Sequence, residues 1–167
     1  MKNIGIGIVG LGNIGSRLYK EIVSKKKDIG IKTNTNISIV AISAKNINKK
    51  RSFKFRRKIF YKNPLEITKN SKVNILIELI GKSDGVSKKI VESALKNKKH
   101  VITANKALIS KHGDYLSQIA EKNKVNLEFE AAVGGGIPVL RTIKEGLATN
   151  KISKVYGILN GTCNYIL

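Results

Sequence analysis

Short apolar segments alternate with amphipathic segments along this chain. The apolar segments are rich in isoleucine and valine, a composition typical of strands buried on both faces of a parallel sheet. In the amphipathic segments, apolar residues recur three and four positions apart, which predicts helices with one buried side. The alternation predicts an α/β protein whose sheet is doubly wound and mainly parallel, with helices on both faces.

These patterns predict six strands and four helices. The strands are residues 4–9, 37–43, 75–80, 101–103, 125–130 and 154–159. The helices are residues 14–26, 86–97, 114–123 and 139–147, the third opened by a turn at Gly113 and the fourth by Pro138. Residues 44–62 are basic and lack a clear periodicity, so we expect a loop there with at most a short irregular strand.

A glycine pattern lies between the first predicted strand and the first predicted helix. It fits G-x-G-x-x-G, in which the first glycine permits a tight turn, the second admits a pyrophosphate and the third allows close helix–strand packing. Free N–H groups at the start of the helix then bind the anion. A purely structural turn is the alternative, but the position favours a Rossmann-type dinucleotide site. The expected contact residues are Gly10, Leu11, Gly12, Asn13, Ile14 and Gly15.

The residues after the second predicted strand indicate which dinucleotide is bound. An NAD site places a carboxylate there to bind the ribose 2′-hydroxyl, whereas this chain has no acidic residue from there until Glu66. Cations follow instead, so we expect NADP(H) to be the preferred cofactor, with NAD(H) as the alternative. Ser43 and Lys45 are expected to lie nearest the 2′-phosphate. The alternative is a solvated loop that does not contact the cofactor, which would have the same composition. The cations are Lys45, Lys49, Lys50 and Arg51.

The net charge of +21, from 32 basic and 11 acidic residues, raises the alternative of a basic nucleic-acid-binding module. The lysines, however, occur on every predicted helix rather than on one face. Stacking aromatics are few among the basic residues. We therefore interpret the charge as solvated surface and expect no nucleic-acid partner. The aromatics are Phe53, Phe55, Phe60 and Tyr61.

Cysteine content and hydropathy indicate a cytoplasmic protein without a membrane partner. Cys163 is the only cysteine, so no intrachain disulfide can form, which fits a reducing compartment. The apolar runs are too short to span a bilayer, and the first one lacks a signal-peptide cleavage site. The two histidines and Cys163 are scattered and form no recognisable zinc motif.

Three further segments are more specific than the glycine pattern. They are residues 100–110 (HVITANKALIS), 128–147 (EFEAAVGGGIPVLRTIKEGL) and 157–167 (GILNGTCNYIL). With the glycine loop, they resemble homoserine dehydrogenase in order and spacing over essentially the whole chain. The resemblance implies NAD(P)H-dependent interconversion of L-aspartate 4-semialdehyde and L-homoserine, on the route to threonine and methionine. An aspartate dehydrogenase-like enzyme is the alternative within the same fold.

The resemblance implies cofactor contacts at two more strand ends. Thr103 and Lys106 reach the cofactor, and Lys106 also approaches the substrate, where its charge would polarise an aldehyde oxygen or join a proton relay. A surface lysine that caps the next turn is the alternative. Ile80 and Gly81 lie beside the nicotinamide ribose through their backbone. Glu78, just before them, is expected to orient a neighbouring loop.

The last segment and the second glycine loop carry the remaining implied roles. Gly161 meets the nicotinamide side, Thr162 meets the substrate, and Cys163 is a small packing residue. The resemblance also implies a structural monovalent cation, usually sodium, although a hinge without an ion is the alternative. Its ligands would be the carboxylate of Glu130 and the carbonyls of Val133, Gly135 and Ile137.

The chain ends in an apolar segment that has just begun, which indicates an interrupted element. We expect residues 1–150 to form the dinucleotide-binding domain and residues 151–167 to begin a substrate domain. By resemblance, the acids that hold the substrate, the proposed proton donor and the contact of a homodimer lie beyond residue 167. The fragment alone is therefore expected to bind nucleotide and to be inactive.

Overall fold

The computed structural model describes residues 1–157, in which five strands form one sheet. Every neighbouring pair is parallel, and the order is β2-β1-β3-β4-β5. This confirms the predicted doubly wound, parallel α/β architecture. The strands are β1 Lys2–Val9, β2 Thr35–Ser43, β3 Ile75–Glu78, β4 His100–Thr103 and β5 Leu127–Glu128.

Helices and turns connect the parallel strands, as a parallel sheet requires. Three helices, Lys26–Thr33, Leu65–Lys69 and Glu130–Val133, were not predicted. The basic loop contains only a 3₁₀ turn, Arg57–Ile59, and an isolated bridge between Ile42 and Phe60. A π-helical turn, Thr142–Gly146, continues the last helix. The helices are α1 Asn13–Ser24, α2 Lys26–Thr33, α3 Leu65–Lys69, α4 Val86–Lys96, α5 Lys106–Lys122, α6 Glu130–Val133 and α7 Val139–Arg141.

The two faces of the sheet bury separate cores because successive strand residues point to opposite sides. Ile8 and Ile77 belong to the core under α1, together with Tyr19 and Ile22 of that helix. Leu76 belongs to the other core. That second core is covered by apolar residues of α4 and α5, which are Ile90, Val91, Ala94, Leu95, Leu108, Leu116 and Ala120.

The start of α5 differs from the prediction. The helix begins at Lys106 rather than at residue 114, and Gly113 lies inside it. Asn105 sets this start because its side-chain oxygen accepts a hydrogen bond from the N–H of Leu108 at 3.1 Å. An internal glycine costs about 1 kcal/mol relative to alanine, which the buried apolar side of α5 offsets.

Other predicted strands are longer than the strands observed in the structure. The strand predicted at 75–80 ends at Glu78, and the one predicted at 125–130 shrinks to Leu127–Glu128 because α6 begins at Glu130. Of the strand predicted at 154–159, residues 154–157 have no regular structure and the rest lies outside the described residues. No helix within residues 1–157 combines the length and apolarity needed to cross a bilayer.

Candidate functional site

The glycine turn lies where the direction of the sheet's connections reverses. β1 is flanked by β2 on one side and by β3 on the other. The chain leaves β1 to build the sheet outward on one side and later on the other, so the carboxyl ends of β1 and β3 lie at a topological switch point. Ligands of open α/β sheets bind at such a switch point.

Two of the three glycines are required by close packing. Gly10 has φ +100°, and a Cβ there would lie 2.5 Å from the carbonyl oxygen of Leu79. A Cβ on Gly15 would lie 1.9 Å from the carbonyl oxygen of Gly10. No side chain fits at either distance, so α1 packs directly against the turn.

Gly12 differs because it faces open space. No atom lies within 4 Å of the position that its Cβ would occupy. Gly12, Asn13 and Ile14 are exposed, and within residues 1–157 the N–H groups of Asn13 and Ile14 have no hydrogen-bond partner. Leu11 is buried and offers only its backbone. The turn therefore presents free amides at a helix start, which is the arrangement that binds a pyrophosphate.

The end of β2 carries no carboxylate. Ser43 is 3% exposed, and its carbonyl accepts a hydrogen bond from the N–H of Gly10 at 2.9 Å. Its side chain is therefore buried beneath the edge rather than projecting from it. Lys45, two residues further on, is exposed. The structure thus brings one of the two predicted 2′-phosphate contacts to the surface beside the turn.

Arg51 is half-buried, whereas the other cations of this loop are exposed. Its guanidinium folds back onto its own loop and lies 5.9 Å from the ring centre of Phe55. Lys49 and Lys50 remain exposed. The carbonyl oxygens that accept from the guanidinium belong to Asn46 at 2.7 Å, Lys49 at 3.0 Å and Ile47 at 3.1 Å.

Aromatic side chains hold the same loop against α1. The rings of Tyr19 and Phe53 stack with centres 4.4 Å apart, and Phe55 and Phe60 stack at 6.0 Å. The three phenylalanines are half-buried against the core under α1. They fix the basic loop beside the end of β2, a role that the sequence pattern did not reveal.

A buried polar network joins the ends of β3 and β4. Glu78 is completely buried, and its two carboxylate oxygens accept from the N–H of Ile80 at 2.8 Å and from the hydroxyl of Thr103 at 2.6 Å. The hydroxyl of Thr103 in turn accepts from the N–H of Asn105 at 3.0 Å. The side-chain amide of Asn105 donates to the carbonyl of Lys82 at 2.7 Å.

The other predicted residues at this edge surround that network. Lys106 is exposed at the first position of α5. Ile80 is 37% exposed, and Gly81 has φ +88° with open space where its Cβ would be. Thr103 is completely buried and its hydroxyl is engaged by the network, so the structure does not bring this predicted contact to the surface of the edge.

Asp84 forms a second link between the same loop and α5, which sequence reasoning missed. It accepts hydrogen bonds from Lys111 at 2.8 Å, from the ring of His112 at 2.9 Å and from Ser83 at 2.8 Å. The bonds from Lys111 and then His112 hold the pKa of the Asp84 carboxyl well below its usual range. Lys111 and His112 lie 27 and 28 residues from Asp84 in the sequence, so only the fold could reveal these two contacts.

The carboxylate predicted to bind sodium caps a helix in the structure. The oxygens of Glu130 accept from the N–H groups of Leu140 and Arg141, both at 2.9 Å. These are amides at the start of α7, which would otherwise have no partner within the helix. Each carboxylate oxygen keeps a lone pair, so the cap does not by itself prevent cation binding.

The carbonyls predicted to complete that site are available to different extents. The carbonyl of Ile137 accepts from the N–H of Val139 at 2.8 Å. Within residues 1–157, those of Val133 and Gly135 accept no hydrogen bond. A hard cation prefers such oxygen ligands, so the donor set fits a monovalent cation. No cluster of three metal-ligating His, Cys, Asp or Glu side chains occurs in the described part of the chain.

Gly161, Thr162 and Cys163 lie outside the described residues. The structure therefore brings together the glycine turn, Lys45, the Ile80–Gly81 backbone and Lys106 along one edge of the sheet.

A doubly wound parallel sheet with this glycine turn at its switch point defines a dinucleotide-binding domain of the Rossmann type. The family model described as "Homoserine dehydrogenase, NAD binding domain" matches residues 10–130, and the one described as "Homoserine dehydrogenase" matches residues 138–167. The chain therefore belongs to the homoserine dehydrogenase family, as its sequence motifs indicated.

Individual relatives agree with this assignment. The homoserine dehydrogenases of Neisseria gonorrhoeae and Bacillus subtilis are 37% and 36% identical to it over 167 residues, covering 100% of this chain and 38% of each relative. A crystal structure of a homoserine dehydrogenase from Thiobacillus denitrificans matches with a TM-score of 0.85 and 32% identity, covering 99% of this chain and 38% of that one. The chain thus spans 38% of the length of these relatives.

Proposed function

We propose that this chain is the nicotinamide-nucleotide-binding part of a homoserine dehydrogenase. The whole protein would interconvert L-aspartate 4-semialdehyde and L-homoserine with NAD(P)H. The observation that carries the proposal is the exposed, unpartnered amide turn at Gly12, which lies at the switch point of the sheet. Family membership supports the substrate and the reaction.

The order of the strands supports one orientation of a dinucleotide on this edge. Its pyrophosphate would rest on the N–H groups of Asn13 and Ile14, and its adenosine half would lie over the end of β2. Its nicotinamide half then extends over β3 and β4, beside Ile80, Gly81 and Lys106. When bound, the reduced nicotinamide supplies the hydride. Lys106, as an ammonium, would stabilise the negative charge that develops on the aldehyde oxygen.

NADP(H) is the proposed cofactor, with NAD(H) as the weaker ligand. Lys45 is exposed beside the turn, and the absence of a carboxylate at the end of β2 removes the group that would repel a 2′-phosphate. Ser43 contributes the backbone carbonyl that shapes the turn.

Several further assignments belong to the same proposal. Residues 1–150 form the nucleotide domain, and residues 151–167, with Gly161 and Thr162, begin the substrate domain. A structural sodium ion binds at the oxygens of Glu130, Val133, Gly135 and Ile137, supported by the carbonyls of Val133 and Gly135 that accept no hydrogen bond within residues 1–157. The full-length protein is a cytoplasmic homodimer.

Nucleotide titration tests the binding half of the proposal. The chain has no tryptophan, so the fluorescence of NADPH itself can report binding. Gly12→Val adds a side chain in open space, so we expect it to leave folding intact and to abolish NADPH binding. Gly113→Ala inside α5 is the matched control and should bind as the unaltered chain does. Failure of the unaltered chain to bind NADPH and NADH would refute the proposal.

The catalytic half is tested in the full-length protein that contains this chain. Oxidation of L-homoserine with NADP⁺ is expected, followed by the absorbance of NADPH. Lys106→Ala should lower kcat, because the negative charge that develops on the aldehyde oxygen loses the cation proposed to stabilise it. Full turnover by the Lys106→Ala protein would remove this residue from the mechanism.

A further inference from the structure

Glu78 is an unusual residue for the core of the sheet. It is completely buried at the end of β3, and within residues 1–157 no cation forms a salt bridge with it. Burying a carboxylate without a paired charge is costly, and an apolar residue at such a position is often the more stable choice. The fold therefore keeps this carboxylate at a penalty to its stability.

The carboxylate is satisfied by two donors that belong to different loops. The N–H of Ile80 lies in the loop between β3 and α4, and the hydroxyl of Thr103 lies at the end of β4. Both donors point at the carboxylate oxygens. Glu78 thus joins the backbone of the first loop to the strand that leads into α5.

Asn105 strengthens the same connection. Its N–H donates to Thr103, its side-chain amide donates to the carbonyl of Lys82, and its side-chain oxygen caps α5 at Leu108. The loop after β3 and the start of α5 are therefore tied at two places. The network fixes the backbone at the start of α5, where the exposed Lys106 follows Asn105 directly.

We propose that Glu78 is a positioning residue for the nicotinamide half of the site, holding the Ile80–Gly81 backbone and the start of α5 as one rigid unit. The inference rests on the proposed function, because it is the direction of the dinucleotide that brings its nicotinamide half over β3 and β4. Glu78 touches neither cofactor nor substrate. It acts through Ile80 on one side and through Thr103 and Asn105 on the other.

Two variants of the 167-residue chain test this role. Glu78→Gln keeps the size of the side chain but replaces one acceptor by an NH₂ donor, so one of the two donors loses its acceptor. Thr103→Val keeps the shape of the side chain but removes the hydroxyl that joins Glu78 to Asn105. Each leaves the glycine turn and Lys45 unchanged.

The ligands are NADPH and 2′-phospho-ADP-ribose, which lacks the nicotinamide, and their dissociation constants are measured by calorimetry. Both variants should bind NADPH about tenfold more weakly, the equivalent of roughly one hydrogen bond. Binding of 2′-phospho-ADP-ribose should stay within about twofold, since its contacts lie over β1 and β2. The selective loss distinguishes positioning from a general loss of stability.

Thr68→Val is the matched control. Thr68 is also completely buried, and its hydroxyl lies 2.7 Å from both the carbonyl of Leu65 and the hydroxyl of Ser93. It belongs to α3, outside the loops that border the nucleotide edge. We expect Thr68→Val to lower Tm and to leave both dissociation constants unchanged.

The outcomes separate the two proposals. If the unaltered chain binds neither ligand, the proposed function falls and this inference falls with it. Suppose the unaltered chain binds both ligands. The positioning role alone is then overturned if Glu78→Gln and Thr103→Val bind NADPH as tightly as the unaltered chain does. It is also overturned if their affinities for both ligands fall by the same factor. Should Glu78→Gln fail to fold, Thr103→Val alone decides between these results.

Discussion

The N–H of Gly10 donates to the carbonyl of Ser43 at 2.9 Å and so joins the glycine turn after β1 to the end of β2. The turn is therefore supported by the neighbouring strand as well as by its own sequence. On its other side, a Cβ on Gly10 would lie 2.5 Å from the carbonyl oxygen of Leu79, the residue that follows β3. The glycine turn is thus supported at the ends of β1, β2 and β3.

Gly15→Ala should destabilise the fold. Its Cβ would meet the carbonyl oxygen of Gly10 at 1.9 Å, so α1 must move away from the turn. We expect the free energy of unfolding to fall by about 1–3 kcal/mol, the usual range for overpacking. Urea denaturation measures the change, and Gly113→Ala, in the same kind of helical backbone, should be neutral or slightly stabilising. Equal stability of the two variants would contradict the packing argument.

Lys45→Glu should reverse the nucleotide preference. A carboxylate beside the ribose repels a 2′-phosphate and can bind a 2′-hydroxyl. We expect NADPH to bind about tenfold more weakly at low ionic strength, and NADH to bind equally or better. Lys89→Glu on the exposed side of α4 makes the same change in net charge and serves as the control. Equal losses in both variants would mean that only overall charge matters.

Asp84 should make stability depend on pH in the acidic range. Hydrogen bonds, first from Lys111 and then from His112, lower the pKa of its carboxyl in the folded chain. The stabilisation is therefore complete above the unfolded value of about 4 and is lost as the pH falls through the lower folded value. Urea unfolding of the native chain and Asp84→Asn should differ at pH 6 and converge in strong acid. A constant difference at all pH values would contradict this.

Arg51→Lys should loosen the basic loop. The guanidinium binds three carbonyls of that loop with a planar fork that an ammonium cannot reproduce. Trypsin should then cleave after Lys49 and Lys50 about tenfold faster, because local opening exposes the backbone. Arg56→Lys, at an exposed position of the same loop, is the control and should not change the rate. Mass spectrometry identifies the cleavage sites.

Sodium should raise the thermal stability of the chain. If Na⁺ binds the oxygens around Glu130 in the folded state alone, Tm rises by about 2–4 °C at saturating concentration. Choline chloride at equal ionic strength controls for screening. Glu130→Gln removes the charge of the site and should abolish the difference between the two salts. An equal Tm in both salts for the unaltered chain would show that the loop holds no sodium.

The sequence reveals features that depend on neighbours along the chain. Isoleucine-rich runs predicted the strands, and the spacing of Gly10, Gly12 and Gly15 predicted a turn whose contacts the structure explains. The predicted start of α5 was wrong because Gly113 resembles a helix boundary. The N-cap at Asn105 outweighs the effect of this glycine. Glycine within a helix is only a modest penalty.

Features that depend on distant neighbours could not be predicted. Thr103 lies 25 residues from Glu78, and nothing in the local pattern pairs the two. The fold-back of Arg51 likewise depends on the aromatic packing that fixes its loop. The sequence located the edge that we propose binds the nucleotide, and tertiary contacts determine which of its side chains remain free.

The exposed lysines beside the glycine turn have a kinetic consequence. Lys45, Lys49 and Lys50 are exposed in the loop that follows β2, whereas the guanidinium of Arg51 is bound to carbonyls of that loop. A multiply charged anion would be drawn toward this edge before it makes contact, so its association rate should fall steeply with added salt. Dissociation, which breaks short-range contacts, should respond far less. Electrostatic steering thus acts on the association rate far more than on the dissociation rate.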